Sequence, residues 1–272
     1  MKLIKYLLIC LFIIGLGISS WFYYPIYEME QMKKHAAEVS HDTSHVSYLN
    51  YFRNTKKAAI YHLAIGDSVI RGVGAEQNQN FVSQFSNKLA EQIHKKIQFQ
   101  NEGINGITSS ELKTLVQSGR FDNEIKKADI VTINVGGNDI LRMAKKQSFQ
   151  NVFQAFHQLQ STFSDNLSDI AARIKKINPN ATIVFLELYN PLSPKDQVYQ
   201  LADQLLPKWN VKIYEVANQY PLSMVIETTK VINGEQRQNL APDGVHPNSA
   251  GYTAISEQMM YQFKHQYRKQ SV

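Results

Sequence analysis

Four short stretches hold most of the residues in this chain that could make or break a covalent bond. The first is AIGDSVIRGVGA at 64–75, where an apolar run stops at Gly66-Asp67-Ser68. The second, NEGINGITSS, carries Gly103 and Gly106. The third is Gly136-Gly137-Asn138-Asp139, and the fourth, APDGVHPNSAGY, holds Asp243 and His246. Serine, small glycine loops, asparagine, aspartate and histidine are the parts of acyl transfer: a nucleophile, a base, a carboxylate to orient the base, and donors for an oxyanion. Each stretch alone has a plainer reading. Asp and Ser are good helix N-caps, so a GDS turn is commonly a helix start. Gly and Asn tolerate positive φ, so GGND reads as a turn, and Asp-x-x-His before a helix serves as a cap. The argument for chemistry is the conjunction of all four, in order.

That conjunction needs elements that bring the four stretches together. From residue 58 the pattern alternates. AAIYHLAIG is a short apolar strand ending at Gly66, and the next segment spaces Phe81, Phe85, Leu89 and Ile93 as one helix face. IQFQNEG is a second strand, and SSELKTLVQSG a helix closed by Gly119. ADIVTINVGG is a near-continuous apolar run, as expected of a strand buried on both faces of a parallel sheet. A long helix over about 152–177 leads to a fourth strand, ATIVFLELYN. A helical segment interrupted by Pro207, a weaker strand SMVIET and a last helix from about Ser249 complete the chain. Alternation through five strands predicts an α/β fold, a doubly wound parallel sheet between two helix layers. Ligands bind such sheets beyond the carboxyl ends of the strands, where the first three stretches fall.

The four blocks together resemble those of the SGNH (GDSL-type) hydrolase family, over about residues 58–265. The resemblance implies a flavodoxin-like α/β/α fold and a serine esterase or acylhydrolase that needs no metal or organic cofactor. Ser68 would attack the substrate carbonyl, His246 would take its proton, and Asp243 would stabilise the imidazolium. Similarity to the family assigns the oxyanion hole to the Ser68 N–H, the Gly106 N–H and the Asn138 side-chain amide. Asp67 and Asp139 are expected to hold loop backbone. One departure is Val69 where many members have Leu, an apolar packing position. The family's substrates span lipid esters, thioesters, simple acyl esters and acetylated sugars. Tyr189, Leu192, Tyr199 and Trp209 are candidates to shape an acyl pocket, with core packing an equal account of Trp209.

Other readings fit less well. The ordinary α/β-hydrolase elbow, G-x-S-x-G, would need glycine where Ile70 stands. A Walker A loop lacks its Gly-Lys-Ser/Thr ending, and a Rossmann fingerprint from Gly72 breaks at Gln77. A two-metal phosphoesterase needs several imidazole and carboxylate ligands, and the first block offers no histidine. A surface binding protein on the same fold, catalytically silent, is the alternative of a different class.

Residues 1–24 form a separate element. Lys2 and Lys5 precede an uncharged run from Tyr6 to Tyr24, about 19 residues, where a membrane-spanning helix needs roughly 20. The expectation is an uncleaved transmembrane anchor with an extracytoplasmic domain; the alternative is a cleaved signal peptide and secretion. Residues 25–57 read as a polar stalk, with His35, His41 and His45 at no metal-binding spacing. The catalytic domain is then 58–272. The sole cysteine, Cys10, lies in the apolar run, which excludes disulfides and a thiol nucleophile from that domain. The net charge of +6 is scattered, with no basic stripe interleaved with aromatics, so no nucleic-acid partner is expected.

Overall fold

The structure, a computed structural model, describes residues 2–38, 45–146 and 152–269. Five strands form the central parallel sheet: β2 (Ala59–Gly66), β3 (Lys96–Gly103), β4 (Ile130–Asn134), β5 (Thr182–Leu186) and β6 (Ser223–Ile226). Their order is β3-β2-β4-β5-β6. The chain therefore winds outwards from β2 in both directions, the flavodoxin-like order predicted. The direction reverses between β2 and β4, which pair in parallel with Gly66 opposite Asn134. That gap is the topological switch point, where such sheets bind ligands.

Strand periodicity divides the core into two layers. Leu63, Ile65, Val131, Ile133, Ile183 and Phe185 face one side. There they meet α5 (Ser109–Gln117), α6 (Asp122–Lys127), α8 (Val152–Ile177) and α9 (Tyr199–Asn218) through Leu112, Ile125, Phe163 and Trp209. Ile60, Ala64, Ile130 and Val184 face the other side, against α4 (Phe81–Ile93) and α10 (Ser249–His265). Helix α9 runs through Pro207 without a break. The bond this proline cannot donate falls to the carbonyl of Asp203, an exposed residue that water can satisfy.

The N-terminal third differs from expectation in two respects. Helix α1 runs from Lys2 to Glu38 as one element, across the boundary placed at residue 24. Its second half packs on α9, and the Lys33 ammonium lies 3.2 Å from Glu187 and 3.1 Å from Glu227. Burial works against that charge, but the two carboxylates outweigh it and raise the Lys33 pKa. Among the described residues no helix is long and apolar enough to cross a membrane. The transmembrane expectation thus finds no support: the helix carrying the run continues into a charged half that meets protein. The side chain of Cys10 lies outside the described residues.

The stalk is the second correction. Strand β1 (His45–Ser47) pairs antiparallel with β7 (Tyr267–Lys269), and α2 (Tyr48–Asn54) follows at once, capped by the Ser47 hydroxyl. Tyr48, Leu49 and Phe52 are buried in the α4/α10 layer, where the Phe52 ring stacks on Phe263. The folded unit therefore begins by residue 45, not 58. His45 belongs to β1, while His41 and the side chain of His35 lie outside the described residues.

Phe52→Ala should cost about 3–5 kcal/mol in urea unfolding. A chain starting at residue 58 should be destabilised at least as much relative to one starting at residue 45. Equal stability of the two truncated chains would show that β1 and α2 are dispensable to the fold.

Candidate active site

Ser68 sits where β2 gives way to a single helical turn, α3 (Ser68–Arg71). The turn begins at Asp67, whose carboxylate oxygen Oδ1 accepts from the Val69 N–H at 2.9 Å and from Asn134 Nδ2 at 2.9 Å. The Asp67 N–H donates to the Asn134 carbonyl at 3.0 Å, so the serine turn is tied to the end of β4 through both backbone and side chain. Gly66 makes this approach possible. Its φ is 148°, and a Cβ there would lie 2.0 Å from the Asn134 carbonyl oxygen. Val69 is buried behind the serine, as expected of its position.

The histidine arrives from the other end of the chain, just before α10. Asp243 Oδ1 accepts from the N–H groups of Val245 (2.9 Å) and His246 (3.0 Å), folding 243–246 into a tight loop. Its other oxygen lies 2.6 Å from His246 Nδ1, and His246 Nε2 lies 2.8 Å from the Ser68 hydroxyl. Partial burial opposes the Asp243 charge, but the His246 ring and the two backbone donors hold its pKa down to about 2. An ionised carboxylate can only accept, so Nδ1 carries the proton and donates. Nε2 is then free to accept from the Ser68 O–H. Tyr189 steadies the loop by donating its hydroxyl to the Val245 carbonyl at 3.0 Å.

The second block leaves β3 and turns beside Ser68. The Ile104 N–H donates to the Gly66 carbonyl at 2.8 Å, and the Ile107 N–H donates to the Ile104 carbonyl at 3.3 Å. Gly106 is the third residue of that turn, with φ 76°, a position that needs a left-handed residue. A Cβ on Gly106 would meet no atom within 4 Å, so the backbone there faces open space. The third block opens α7 (Gly137–Lys146) after β4. Asn138 Nδ2 donates to the Ile107 carbonyl at 3.0 Å, which joins the second and third blocks. Asp139 accepts from the Ser109 N–H (2.9 Å) and hydroxyl (2.6 Å), and Asn166 donates to the same hydroxyl. Burial raises the Asp139 pKa against those donors.

Ser68, Asp243 and His246 thus form one hydrogen-bonded chain, and Asn138 bonds Ile107, the neighbour of Gly106, beside the same sheet end. Asp67 and Asp139 hold loops, as expected. Trp209 is fully buried between Phe156 and Phe163 and belongs to the core. Leu192 and Tyr199 instead meet Gly234, where a Cβ would collide with both, so the loops after β5 and β6 close on each other. Among the supports that escaped the sequence reading are Asn134, Ser109 and Asn166. Asn134 alone left a signal, a polar residue at the end of an apolar strand. Among the described residues no group of three His, Cys, Asp or Glu side chains is placed to hold a metal ion.

The GDSL-like lipase/acylhydrolase family model matches residues 64–254, and the chain belongs to that family. It is an ester-cleaving hydrolase. It is 29% identical to the spore germination lipase LipC of Bacillus licheniformis over 205 residues, covering 74% of this chain and 94% of that protein. Among solved structures it is similar to the lipase Lip_vut3 from a goat rumen metagenome, with 28% identity and a TM-score of 0.66, over 75% of this chain and 97% of that one. An acetyl-xylooligosaccharide esterase from Geobacillus shares the fold at 18% identity and a TM-score of 0.56, over 75% and 94% of the two chains.

Asp67 gives the site a pH signature. Burial raises its carboxyl to about 6, against the Val69 and Asn134 donors. In the folded protein it keeps a proton that the unfolded chain has lost by about pH 4. Stability from this group is therefore full below about pH 4 and lost as pH rises through about 6. Asp67→Asn keeps an acceptor at the Oδ1 position and removes the titration. The wild-type stability curve should fall by about 2–3 kcal/mol relative to the variant between pH 4 and 7, read from urea midpoints. Parallel curves would mean that Asp67 does not titrate in this range.

Proposed function

We propose that the chain cleaves carboxylic esters through an acyl-enzyme on Ser68. The observation that carries this reading is the unbroken chain from Asp243 through His246 to the Ser68 hydroxyl. As Ser68 Oγ attacks the ester carbonyl, its proton passes to His246 Nε2, and the imidazolium is stabilised by Asp243 across Nδ1–H. The carbonyl oxygen, now an oxyanion, takes donors from the Ser68 N–H, the Gly106 N–H and Asn138 Nδ2. One hydrogen of the Asn138 amide is spent on the Ile107 carbonyl and fixes the group; the other is available to substrate. Collapse of the tetrahedral intermediate breaks the ester C–O bond, and His246 returns its proton to the leaving alcohol. Water then enters, gives a proton to Nε2 and attacks the acyl carbon. His246 Nε2 then gives that proton to Ser68 Oγ as the Ser68–acyl bond breaks, which releases the acid and restores the serine hydroxyl.

The substrate is proposed to be a lipid-type acyl ester. Ile104, 37% exposed, is bonded to Gly66 two residues from Ser68, and Leu141, 46% exposed, lies one helical turn beyond Asn138. Apolar side chains left in water beside the oxyanion donors suit an acyl chain rather than a sugar. LipC and Lip_vut3, at 29% and 28% identity, are both named lipases, which supports the same choice.

Hydrolysis should be measured over acyl chains from acetyl to palmitoyl, with chelator present. Medium or long chains should be preferred, and Ser68→Ala should lower kcat by about 10³-fold or more without unfolding. His246→Ala should cost at least as much as Asn138→Ala, which removes one donor worth about 10²–10³. Turnover that survives in Ser68→Ala, or that chelator abolishes, would remove the acyl-enzyme reading. Preference for acetyl would remove only the choice of substrate.

Asp243→Asn makes a sharper test. The Oδ1 acceptor that shapes the 243–246 loop can remain, while the oxygen facing Nδ1 becomes an amide that donates. The imidazole then carries its proton on Nε2 and cannot accept from Ser68. kcat should fall by about 10³–10⁴ with little change in melting temperature. A fall below tenfold would show that Asp243 does not set the tautomer.

A further inference from the structure

Oxyanion stabilisation requires donors fixed in direction before the substrate arrives. Gly106 has no side chain with which to fix itself, and a glycine's dihedrals are soft. The restraint comes from α7. Asn138 and Arg142 are four residues apart and share one face of that helix. Asn138 Nδ2 donates to the Ile107 carbonyl at 3.0 Å, and Arg142 Nη2 donates to the Gly106 carbonyl at 2.7 Å. Two consecutive carbonyls of the loop are held from two consecutive turns of one helix. Because the Ile107 N–H also donates to Ile104, the peptide between Gly106 and Ile107 is pinned at both its oxygen and its nitrogen.

The guanidinium is itself braced. Its Nη1 and Nη2 donate to the two carboxylate oxygens of Glu111 at 2.9 and 3.1 Å, the planar fork that a lysine cannot reproduce. Glu111 is fixed in turn by a capping box at the start of α5, where the Thr108 N–H donates to it at 2.8 Å. The Arg142 bonds, then the Thr108 N–H, hold the Glu111 carboxyl down to about 2. Both side chains of the pair are half-exposed, at 51% and 50%. Ion pairs so exposed add little to stability, and this one ends on the carbonyl of the residue whose N–H faces the oxyanion.

We propose that Arg142 is a positioning residue of the oxyanion site, fixing the Gly106 amide through the Gly106 carbonyl with Glu111 as its brace. This rests on the acyl-enzyme reading above. It is tested in the full chain with Arg142→Ala, Arg142→Lys and Glu111→Gln, by steady-state kinetics and by amide hydrogen exchange at Ile107. Arg142→Ala should lower kcat about tenfold to a hundredfold with KM within twofold. Ile107 exchange should speed up at least tenfold while β4 and α5 keep their protection. Arg142→Lys keeps a donor for the carbonyl and should recover part of kcat, and Glu111→Gln should fall between it and wild type. A purely structural role would instead speed exchange across α5 and α7 together, with no recovery by lysine. A kcat in Arg142→Ala within twofold of wild type, or unchanged Ile107 exchange, would overturn the proposal. If wild type cleaves no ester, or Ser68→Ala still does, the reading beneath it fails. The exchange measurement alone then decides whether Arg142 anchors the loop: faster exchange supports the anchor and unchanged exchange refutes it.

Discussion

Everything chemical in this molecule hangs on the close approach of β2 and β4 at their carboxyl ends. Gly66 comes so near the Asn134 carbonyl that any side chain would collide with it. From that contact the other alignments follow. The Asp67 N–H reaches the Asn134 carbonyl, the Asn134 amide reaches the Asp67 carboxylate, and the Gly66 carbonyl receives Ile104 from the loop after β3. Three of the four blocks are thus registered against one residue without a side chain. A residue with Cβ would have to part β2 from β4, and the serine turn would lose its bonds to Asn134.

Around this crossing, three aspartates of the same intrinsic acidity are put to different uses by burial. Asp67 is buried, and its pKa is raised; it serves as a backbone and amide acceptor that holds the turn. Asp139 is buried against Ser109 and shifts the same way; it laces the start of α5 to the start of α7. Asp243 is half-exposed, gathers two backbone donors and the imidazole, and is held ionised. Of the three it alone bonds the His246 ring, and so it alone is placed to steady an imidazolium. A carboxylate beside the nucleophile in sequence is therefore no guide to its role: the one next to Ser68 is engaged by Val69 and Asn134.

The sheet order and the four blocks were legible in the sequence for separate reasons. Strands buried on both faces read as apolar runs, and helices between them imply parallel pairing. The strand order and its switch point followed from the resemblance to the family. The blocks were legible because bond-breaking chemistry tolerates few residue types. Their supports were not, because a backbone carbonyl accepts from any donor that reaches it. Nothing near Ser109 points to Asn166, which lies far along the chain on α8. The N-terminal boundary was misplaced because α2 is only two turns long and β1 and β7 are three residues each, too short for any period to show. Their burial depends on pairing between the two ends of the domain, which local pattern cannot reveal.

The core holds a control for the site. His62 of β2 also touches a serine, with Nδ1 2.9 Å from the Ser86 hydroxyl and Nε2 2.8 Å from that of Thr132. Ser86 spends its own proton on the Val82 carbonyl, so its oxygen accepts from Nδ1–H, and Nε2 accepts from Thr132. The pair distance matches that of His246 and Ser68 within 0.1 Å. What differs is the surroundings. His62 is fully buried, and desolvation lowers its pKa to about 3, so it cannot become the imidazolium that a general base must become. It has hydroxyl partners where His246 has the Asp243 carboxylate, and its serine is buried on α4 whereas Ser68 is partly exposed. A histidine and a serine at hydrogen-bond distance are thus ordinary packing in this protein. The carboxylate behind the ring and the partial exposure of the hydroxyl make the second pair a candidate catalyst.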